Sequence, residues 1–417
     1  MSMEPAYLDV APGEQGVFVD PGLDGAHDPT VVRDVDGGYV MVSTDTAIGA
    51  PGAGVQVRLS DDLVTWRWGG HAFDGVPEPA RAWSGAQGLW APEVVRRGDE
   101  FRMYHSASTF GSRTSAISLA TAPTARGPWR DRGVVVRTEH DASSVNAIDA
   151  AVTIDSEGRD WLFFGSFFGG LRVLPLGVDG RPVRDGDLGQ SVARRAASIN
   201  GAIEGSHALW SVEHGHYYLF TSFDSLFDTY HVRVARSRAI TGDYQDAQVR
   251  SMIDDREPPT RAGNLLLGSH VDVEGRTWVA PGHSSHLIDG DNVYLVHHVR
   301  YGQDRERPTT QIRQLAWTAT GWPVVSPVPF GGTVDGALEA PDAWVATRFV
   351  DDVTDPVAPR PAEVALGPVG ADDRVTVSVD GEEMAGVVFR DLSEAGPRFS
   401  VSALDRAGQA VWLQGAP

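Results

Sequence analysis

The sequence predicts an all-β fold, a five-bladed β-propeller with a small C-terminal all-β module. A short phrase recurs five times, each copy passing through a β-forming stretch and a tight turn into a strand that holds an aromatic residue. The copies are spaced as four-stranded blades with long connections would be. Long stretches with the apolar period of about 3.6 residues that marks amphipathic helices are absent.

The copies of the phrase differ most in the residue that opens them. They read His27-Asp28-Pro-Thr-Val-Val, Trp90-Ala91-Pro-Glu-Val-Val, Ile148-Asp149-Ala-Ala-Val-Thr, Ile203-Glu204-Gly-Ser-His-Ala and Gly282-His283-Ser-Ser-His-Leu. Aligned in this way, the opening positions are Asp28, Ala91, Asp149, Glu204 and His283, at intervals of 63, 58, 55 and 79 residues. We expect equivalent positions of repeats around an axis to converge, which would bring three carboxylates and one imidazole together.

A Gly-containing turn follows each copy and supports a hairpin. The turns fall at Asp36-Gly37-Gly38, Arg97-Gly98-Asp99, Ser156-Glu157-Gly158, Glu213-His214-Gly215 and Asp289-Gly290-Asp291. Glycine allows the positive φ that tight hairpin turns need. The strands after the turns then carry the aromatic residues Tyr39, Phe101, Trp161, Tyr218 and Tyr294. The last blade can be completed by the apolar stretches at 311–317 and 322–325.

The C-terminal part has a different pattern, and we place the domain boundary between residues 338 and 339. A Pro-rich stretch at 355–362 is typical of a linker or of a cover for an edge strand. Beyond it, short β-forming runs alternate with turn signals up to residue 417. This sandwich- or barrel-like module could bind carbohydrate or could simply cover part of the propeller surface.

Composition excludes several kinds of chemistry. The formal net charge of −21 disfavours nucleic acid and anionic membranes as partners, because both are negatively charged. It does not repel a neutral polysaccharide. The chain has no cysteine, so thiol nucleophiles and Cys-ligated zinc are excluded. All 35 basic residues are arginine, which excludes Schiff-base chemistry on lysine.

The sequence shows no membrane or export signal. No apolar run approaches the ~20 residues that cross a bilayer. The first residues lack the basic start and apolar core of a signal peptide. As the sequence stands we expect a cytoplasmic protein, and a secreted one if a leader was removed.

Three carboxylates converging on one point suggest glycoside hydrolysis. That reaction needs one acid to protonate the leaving oxygen and one carboxylate to activate water or attack the sugar. The two can work together only if their pKa values are pushed apart, and a third carboxylate nearby helps to keep the acid protonated. Asp28, Asp149 and Glu204 supply the required number of groups.

The chain resembles glycoside hydrolase family 43, and within it the arabinanases, over roughly residues 20 to 330. The resemblance is carried by His27-Asp28-Pro-Thr-Val, Trp90-Ala-Pro-Glu-Val, Asn146-Ala-Ile-Asp149, Phe164-Gly-Ser-Phe-Phe-Gly-Gly170, Ile203-Glu204-Gly and Pro281-Gly-His283. It implies a five-bladed propeller that inverts anomeric configuration. It also implies Asp28 as general base, Glu204 as general acid, and Asp149 as the carboxylate that raises the pKa of the acid. Inversion predicts a separation of ~6.5–9.5 Å between the carboxyls of Asp28 and Glu204.

The same resemblance implies binding residues around these carboxylates. It places a calcium ion near His283, with water completing the shell, although calcium usually prefers oxygen ligands. It implies substrate contacts from residues in the quoted motifs and in Tyr104-His-Ser-Ala-Ser-Thr-Phe110, namely His27, Trp90, Phe110, Asn146, Ser166 and Phe168.

The implied substrate is arabinan or arabino-oligosaccharide, cleaved at α-1,5-L-arabinofuranosidic bonds. Two alternatives remain: an exo-acting α-L-arabinofuranosidase or β-xylosidase of the same family, and a non-catalytic propeller that binds carbohydrate. The phrase around Glu204 continues as Gly205-Ser206-His207 and departs from the usual family continuation. Because such loops border the cleft, endo and exo cleavage stay open.

Overall fold

The computed structural model describes residues 20–46, 52–334 and 338–416. Within these ranges the regular secondary structure is almost all β-strand, with one helix α1 (Glu78–Ser84) and one short 3-10 turn (Ala197–Ile199). Five antiparallel sheets follow one another in chain order, and a sixth sheet holds the C-terminal residues. The predicted all-β fold, a five-bladed propeller with a C-terminal module, is confirmed.

The first three blades are four-stranded meanders. Blade 1 contains β1 (Thr30–Arg33), β2 (Tyr39–Ser43), β3 (Gln56–Ser60) and β4 (Arg67–His71). Blade 2 contains β5 (Trp90–Arg97), β6 (Glu100–Ala107), β7 (Ser115–Ala122) and β8 (Arg130–Thr138). Blade 3 contains β9 (Ala151–Ile154), β10 (Asp160–Phe164), β11 (Leu171–Pro175) and β12 (Gln190–Ala193).

Blade 4 is also four-stranded, and blade 5 has five strands. Blade 4 contains β13 (Ile203–Ser211), β14 (His216–Phe223), β15 (His231–Ser237) and β16 (Asn264–Leu267). Blade 5 contains β17 (His270–Val271), β18 (Thr277–Asp289), β19 (Asn292–Tyr301), β20 (Asp304–Trp317) and β21 (Pro323–Val325). Each predicted hairpin turn therefore joins the expected pair of strands, and the two stretches predicted to complete the last blade lie in β20 and at β21.

Apolar side chains between neighbouring blades hold the ring together. The ring closes where blade 5 packs against blade 1, with Val31 and Met41 in one buried cluster with Val296. The Tyr39 hydroxyl in blade 1 donates a 2.6 Å hydrogen bond to Asp289 Oδ2 in blade 5. Burial of apolar area supplies most of the stability of such an interface.

The C-terminal sheet has seven strands in the order β23-β22-β28-β27-β26-β25-β24. Its strands are β22 (Trp344–Arg348), β23 (Arg360–Ala362), β24 (Val364–Leu366), β25 (Arg374–Val379), β26 (Glu382–Ser393), β27 (Gly396–Leu404) and β28 (Ala410–Gly415). The Pro-rich stretch is not a linker, because it contains the edge strand β23, which pairs with β22. Pro361 is tolerated there since an edge strand leaves one side unpaired.

A β-bulge recurs in each blade and fixes the direction of the site residues. One extra residue opposes the strand that follows in the same blade, and the residue after the bulge pair has positive φ: 51° at Asp28, 41° at Ala91, 60° at Asp149, 57° at Gly205 and 48° at His283. The bulge pairs are His27 with Thr44, Trp90 with Ser106, Ile148 with Gly165, Glu204 with Ser222 and Gly282 with His298. Bulges of this kind re-aim side chains next to functional sites.

The bulges correct the sequence alignment of the fourth repeat. Gly205, not Glu204, occupies the position equivalent to Asp28 and Asp149. Glu204 is instead equivalent to Trp90 and Gly282, one residue earlier. Ile148-Asp149 and Ile203-Glu204 align by sequence similarity. In the fourth repeat, however, Gly205 rather than Glu204 adopts the left-handed backbone conformation, which costs glycine no steric strain.

Hydrogen bonds from the bulges interlock the blades. The backbone N–H of the positive-φ residue usually donates to the side chain that forms the bulge pair in the preceding blade: Ala91 to Thr44 Oγ1 at 2.8 Å, Asp149 to Ser106 Oγ at 3.1 Å, His283 to Ser222 Oγ at 2.7 Å and Asp28 to His298 Nδ1 at 3.3 Å. Blade 3 has Gly165 at the accepting position. Without a side chain there, the N–H of Gly205 donates to Asp149 Oδ2 at 3.3 Å. One inter-blade bond is thus made directly to a predicted catalytic group.

Candidate active site

One cavity of about 450 Å³ contains every site residue that the sequence predicted. It lies where the first strands of the blades begin, so it opens at one end of the propeller axis. Its walls include the three carboxylates and the predicted binding residues His27, Asp28, Trp90, Phe110, Asn146, Asp149, Ser166, Phe168, Glu204 and His283. The structure therefore brings together all ten residues, although the offset of Glu204 was not expected.

Asp28 is a buried carboxylate surrounded by hydrogen donors. Thr44 Oγ1 donates to Asp28 Oδ2 at 2.6 Å. The Nδ1 atoms of His27 and His283 lie 2.9 Å and 3.1 Å from its two oxygens, as close polar contacts. Burial raises the pKa of Asp28, but the neighbouring imidazoles of His27, His283 and His298 outweigh burial and hold the pKa well below its usual value. Asp28 is therefore ionised and can accept a proton.

Arg300 holds the His27 ring beside Asp28. Arg300 Nη2 lies 3.1 Å from His27 Nε2. An arginine can only donate, so His27 Nε2 accepts. The ring is thereby fixed with its Nδ1 atom 2.9 Å from Asp28 Oδ2.

The pKa of Glu204 is shifted in the opposite direction. Its side chain is buried, and Ser166 Oγ donates to Oε2 at 2.6 Å. Burial raises the pKa of Glu204, and the hydrogen bonds from Ser166 and Tyr230 only partly offset that rise. A raised pKa suits a carboxyl that must donate a proton to a leaving oxygen.

Asp149 interacts electrostatically with both of the other carboxyls. Burial raises its pKa well above the usual value, and the charges of Glu204 and Asp28 raise it further. The N–H of Gly205 donates to Asp149 Oδ2 and acts in the opposite direction. Because Asp149 and Glu204 repel each other as anions, the pair retains a proton where an isolated carboxyl would have lost it.

Four further residues complete the site and were not found from the sequence: Thr44, Tyr230, His298 and Arg300. The rings of His27 and His298 stack with centroids 3.9 Å apart, and Tyr230 stacks on the other face of His298 at 5.6 Å. Burial lowers the pKa of His298 well below its usual value, so this ring is neutral. All four lie outside the recurring phrase: His298 and Arg300 are in β19, Thr44 directly follows β2 and Tyr230 directly precedes β15.

Gly282 makes room for Tyr230. A Cβ atom at Gly282 would lie 2.1 Å from Cδ1 of the Tyr230 ring. Because Gly282 is the bulge equivalent of Glu204, the absence of a side chain in blade 5 allows the tyrosine to reach the acid of blade 4. The Pro-Gly-His segment thus has a packing role in addition to placing His283.

The predicted sugar-binding residues form both polar and apolar walls. Ser115 Oγ donates to Asn146 Oδ1 at 2.6 Å and is itself bonded to Ser108, which leaves the Asn146 NH₂ group to donate into the cavity. Phe110 and Phe168 are exposed aromatic side chains, and the Arg113 guanidinium lies 4.7 Å from the centre of the Phe168 ring. Aromatic faces next to hydrogen-bond donors are the usual lining of ligand pockets.

The donor groups near His283 do not form an ordinary calcium site. Within the described ranges, the grouped metal-ligand candidates next to it are His27, Asp28 and His298, which offer two imidazoles and one carboxylate. Calcium prefers six to eight oxygen ligands. An ion held by His283 would therefore take most of its ligands from water. Calcium at His283 stays a prediction.

The sequence of this chain is similar to those of known proteins. The family model described as glycosyl hydrolases family 43 matches residues 21–323. Extracellular endo-α-(1→5)-L-arabinanase 1 of Bacillus subtilis is 31% identical over 327 residues, covering 76% of this chain and 92% of its own. The extracellular exo-α-(1→5)-L-arabinofuranosidase ArbA of Cellvibrio japonicus is 31% identical over 316 residues, covering 72% and 86%.

A solved structure extends the likeness to the C-terminal module. The crystal structure of endo-1,5-α-L-arabinanase from Thermotoga petrophila superposes with a TM-score of 0.80 at 25% identity. The match covers 94% of this chain and 98% of that one. Both the propeller and the module therefore have a counterpart in that protein.

Proposed function

Because the chain belongs to the glycosyl hydrolases of family 43, we propose that it hydrolyses α-1,5-L-arabinofuranosidic bonds in arabinan or arabino-oligosaccharides, with inversion of the anomeric configuration. The names of its relatives from Bacillus subtilis and Cellvibrio japonicus support this substrate, since both refer to α-(1→5)-linked arabinose. Arabinan is neutral, so the net charge of −21 does not oppose its binding.

The observation that carries the proposal is that the pKa values of two carboxyls in one cavity are shifted in opposite directions. Asp28 has its pKa held well below the usual value, and Glu204 has its pKa raised. Both side chains are buried and line the same space. A pair of titratable groups with separated pKa values is the arrangement that acid–base hydrolysis of a glycoside requires.

The proposed reaction is a single displacement. Glu204 donates its proton to the glycosidic oxygen of the departing sugar, while Asp28 accepts a proton from the water that attacks the anomeric carbon from the opposite face. Asp149 keeps the pKa of Glu204 high until the proton is transferred. Room for the attacking water predicts ~6.5–9.5 Å between the carboxyls of Asp28 and Glu204.

The products from linear 1,5-arabinan test the proposal. We expect the purified protein to release arabino-oligosaccharides early in the reaction, as an endo-acting enzyme does. Release of arabinose alone would instead support exo cleavage, the second candidate, which the relative from Cellvibrio japonicus favours through its name. Cleavage of a β-xyloside with no action on arabinan would contradict the proposed substrate.

We also propose that the protein acts outside the cell. No helix in the described part of the chain is long and apolar enough to cross a membrane. The names of both relatives contain the word extracellular, which supports secretion rather than a cytoplasmic location. Assaying arabinan hydrolysis in culture medium and in cell extract distinguishes the two.

A further inference from the structure

A second groove continues from the active-site cavity toward the C-terminal module. It has a volume of about 480 Å³ and shares Phe110, Phe167, Asn200 and Leu226 with the cavity. Its far end is lined by Arg261 of the propeller and by Val353 and Thr354 of the module. The two spaces therefore form one continuous cleft, and the module supplies its outer wall.

The module segment that forms this wall is fixed to the propeller at both ends. Arg233 Nη2 donates to Asp351 Oδ1 at 2.5 Å. The N–H of Val357 donates to the carbonyl of Ser269, and the N–H of Val271 donates to the carbonyl of Val357. Between these anchors Val353 is buried in an apolar cluster with residues of blades 4 and 5. The wall is thus held in place beside the cleft.

The groove has the chemistry of a sugar-binding surface. Phe110, with 61% of its surface exposed, and Phe227 offer apolar faces. Arg261 also lines the groove, and its guanidinium carries N–H donors. Sugar hydroxyl oxygens are acceptors for such donors.

The charges around the groove favour a neutral ligand. Asp351 and Asp352 interact with Arg261, and the paired groups Arg195 and Asp224 lie nearby, so neither sign of charge predominates. These carboxylates would repel an anionic ligand, and the guanidinium groups would repel a cationic one. A neutral polyhydroxylated chain that extends from the active-site cavity is repelled by neither.

We propose that this groove binds further residues of the same α-1,5-arabinan chain, and that the C-terminal module serves the reaction by forming the wall of this distal site. The inference rests on the proposed function and adds to it a preference for longer chains. Arg261 and Thr354 are specificity residues in this account and take no part in the chemical step.

Two variants test the distal site. Arg261→Ala removes the guanidinium from the groove wall, and Thr354→Trp fills the groove from an exposed position. We expect kcat/KM for arabinohexaose to fall roughly fivefold or more in each, mainly through KM, while kcat/KM for arabinobiose stays within about twofold of wild type. Arg256→Ala and Val369→Trp are the matched controls, because both positions are exposed and neither lines the cleft.

The outcomes separate this inference from the proposed function. If the variants with native thermal stability leave the hexaose-to-biose ratio of kcat/KM at its wild-type value, the distal site is wrong while the proposed hydrolysis stands. If wild-type protein cleaves neither substrate, the proposed function fails and the distal site fails with it. A lower hexaose-to-biose ratio of kcat/KM in Arg261→Ala and Thr354→Trp, with an unchanged ratio in the controls, supports the inference.

Discussion

The Thr44 hydroxyl donates a 2.6 Å hydrogen bond to Asp28 Oδ2. The same hydroxyl accepts a 2.8 Å hydrogen bond from the backbone N–H of Ala91 in the next blade. Because the accepted bond fixes its lone pairs, the single proton of Thr44 is directed at the carboxylate. A contact between two blades therefore determines the environment of the proposed base.

Replacing Thr44 by valine shifts the acidic limb of the pH profile. A donor to the ionised form lowers a carboxyl pKa, so its removal raises the pKa of Asp28. Since activity needs ionised Asp28, we expect the acidic limb of kcat/KM to move to higher pH, by about one unit. Ser106→Ala is the control, because Ser106 occupies the equivalent bulge position in blade 2 and bonds to the backbone of Asp149. An unshifted acidic limb in Thr44→Val would contradict the role of Asp28.

Replacing Ser166 by alanine acts on the other limb. The Ser166 hydrogen bond lowers the pKa of Glu204 against the larger effect of burial, so its removal raises that pKa further. The proposed acid then stays protonated to higher pH, and the basic limb of kcat/KM moves upward. Measuring kcat/KM on arabinotriose across the pH range checks the direction, and a downward shift would be incompatible with Glu204 as the acid.

The sequence predicted the blades well because local chemistry determines them. Each hairpin needs a glycine-containing turn and two β-forming strands, and both are legible in a few consecutive residues. The register at Glu204 could not be predicted from the sequence, because the bulge depends on pairing with β14 and on the left-handed conformation of Gly205. Thr44, His298 and Arg300 were missed for a related reason: they lie on β19 or directly after β2, and only the folded ring brings these positions to the site.

Gly205 carries two constraints that a pair of alanine variants separates. Its φ is +57°, and a Cβ there would lie 3.1 Å from atoms of His283. Gly215 has a similar φ of +60° with open space around it. We expect Gly215→Ala to lower the free energy of unfolding by about 1–2 kcal/mol through backbone strain alone. Gly205→Ala should cost about 1 kcal/mol more and reduce activity, because His283 must move.

Urea denaturation of the two variants measures this difference. Equal losses of unfolding free energy would show that His283 tolerates the added methyl group. In that case the close approach of Gly205 and His283 would not help to shape the cavity.

Calcium binding at His283 is directly measurable. We expect chelator-treated wild-type protein to bind calcium in isothermal titration calorimetry, and His283→Ala to lose that binding, since His283 would be the protein ligand of a largely hydrated ion. His216→Ala is a control, because His216 does not line the cavity. Absence of calcium binding by the wild-type protein would refute the prediction.

The assignment of Glu204 as the proton donor is the central claim, and its glutamine variant tests it most directly. The measurement is kcat/KM of Glu204→Gln relative to wild type on linear 1,5-arabinan and on an aryl α-L-arabinofuranoside whose leaving group needs little protonation. We expect a loss of at least ~10²-fold on arabinan and a much smaller loss on the aryl substrate. Activity on arabinan within about tenfold of wild type would contradict the claim, because losing a general acid should slow the reaction by at least ~10²-fold.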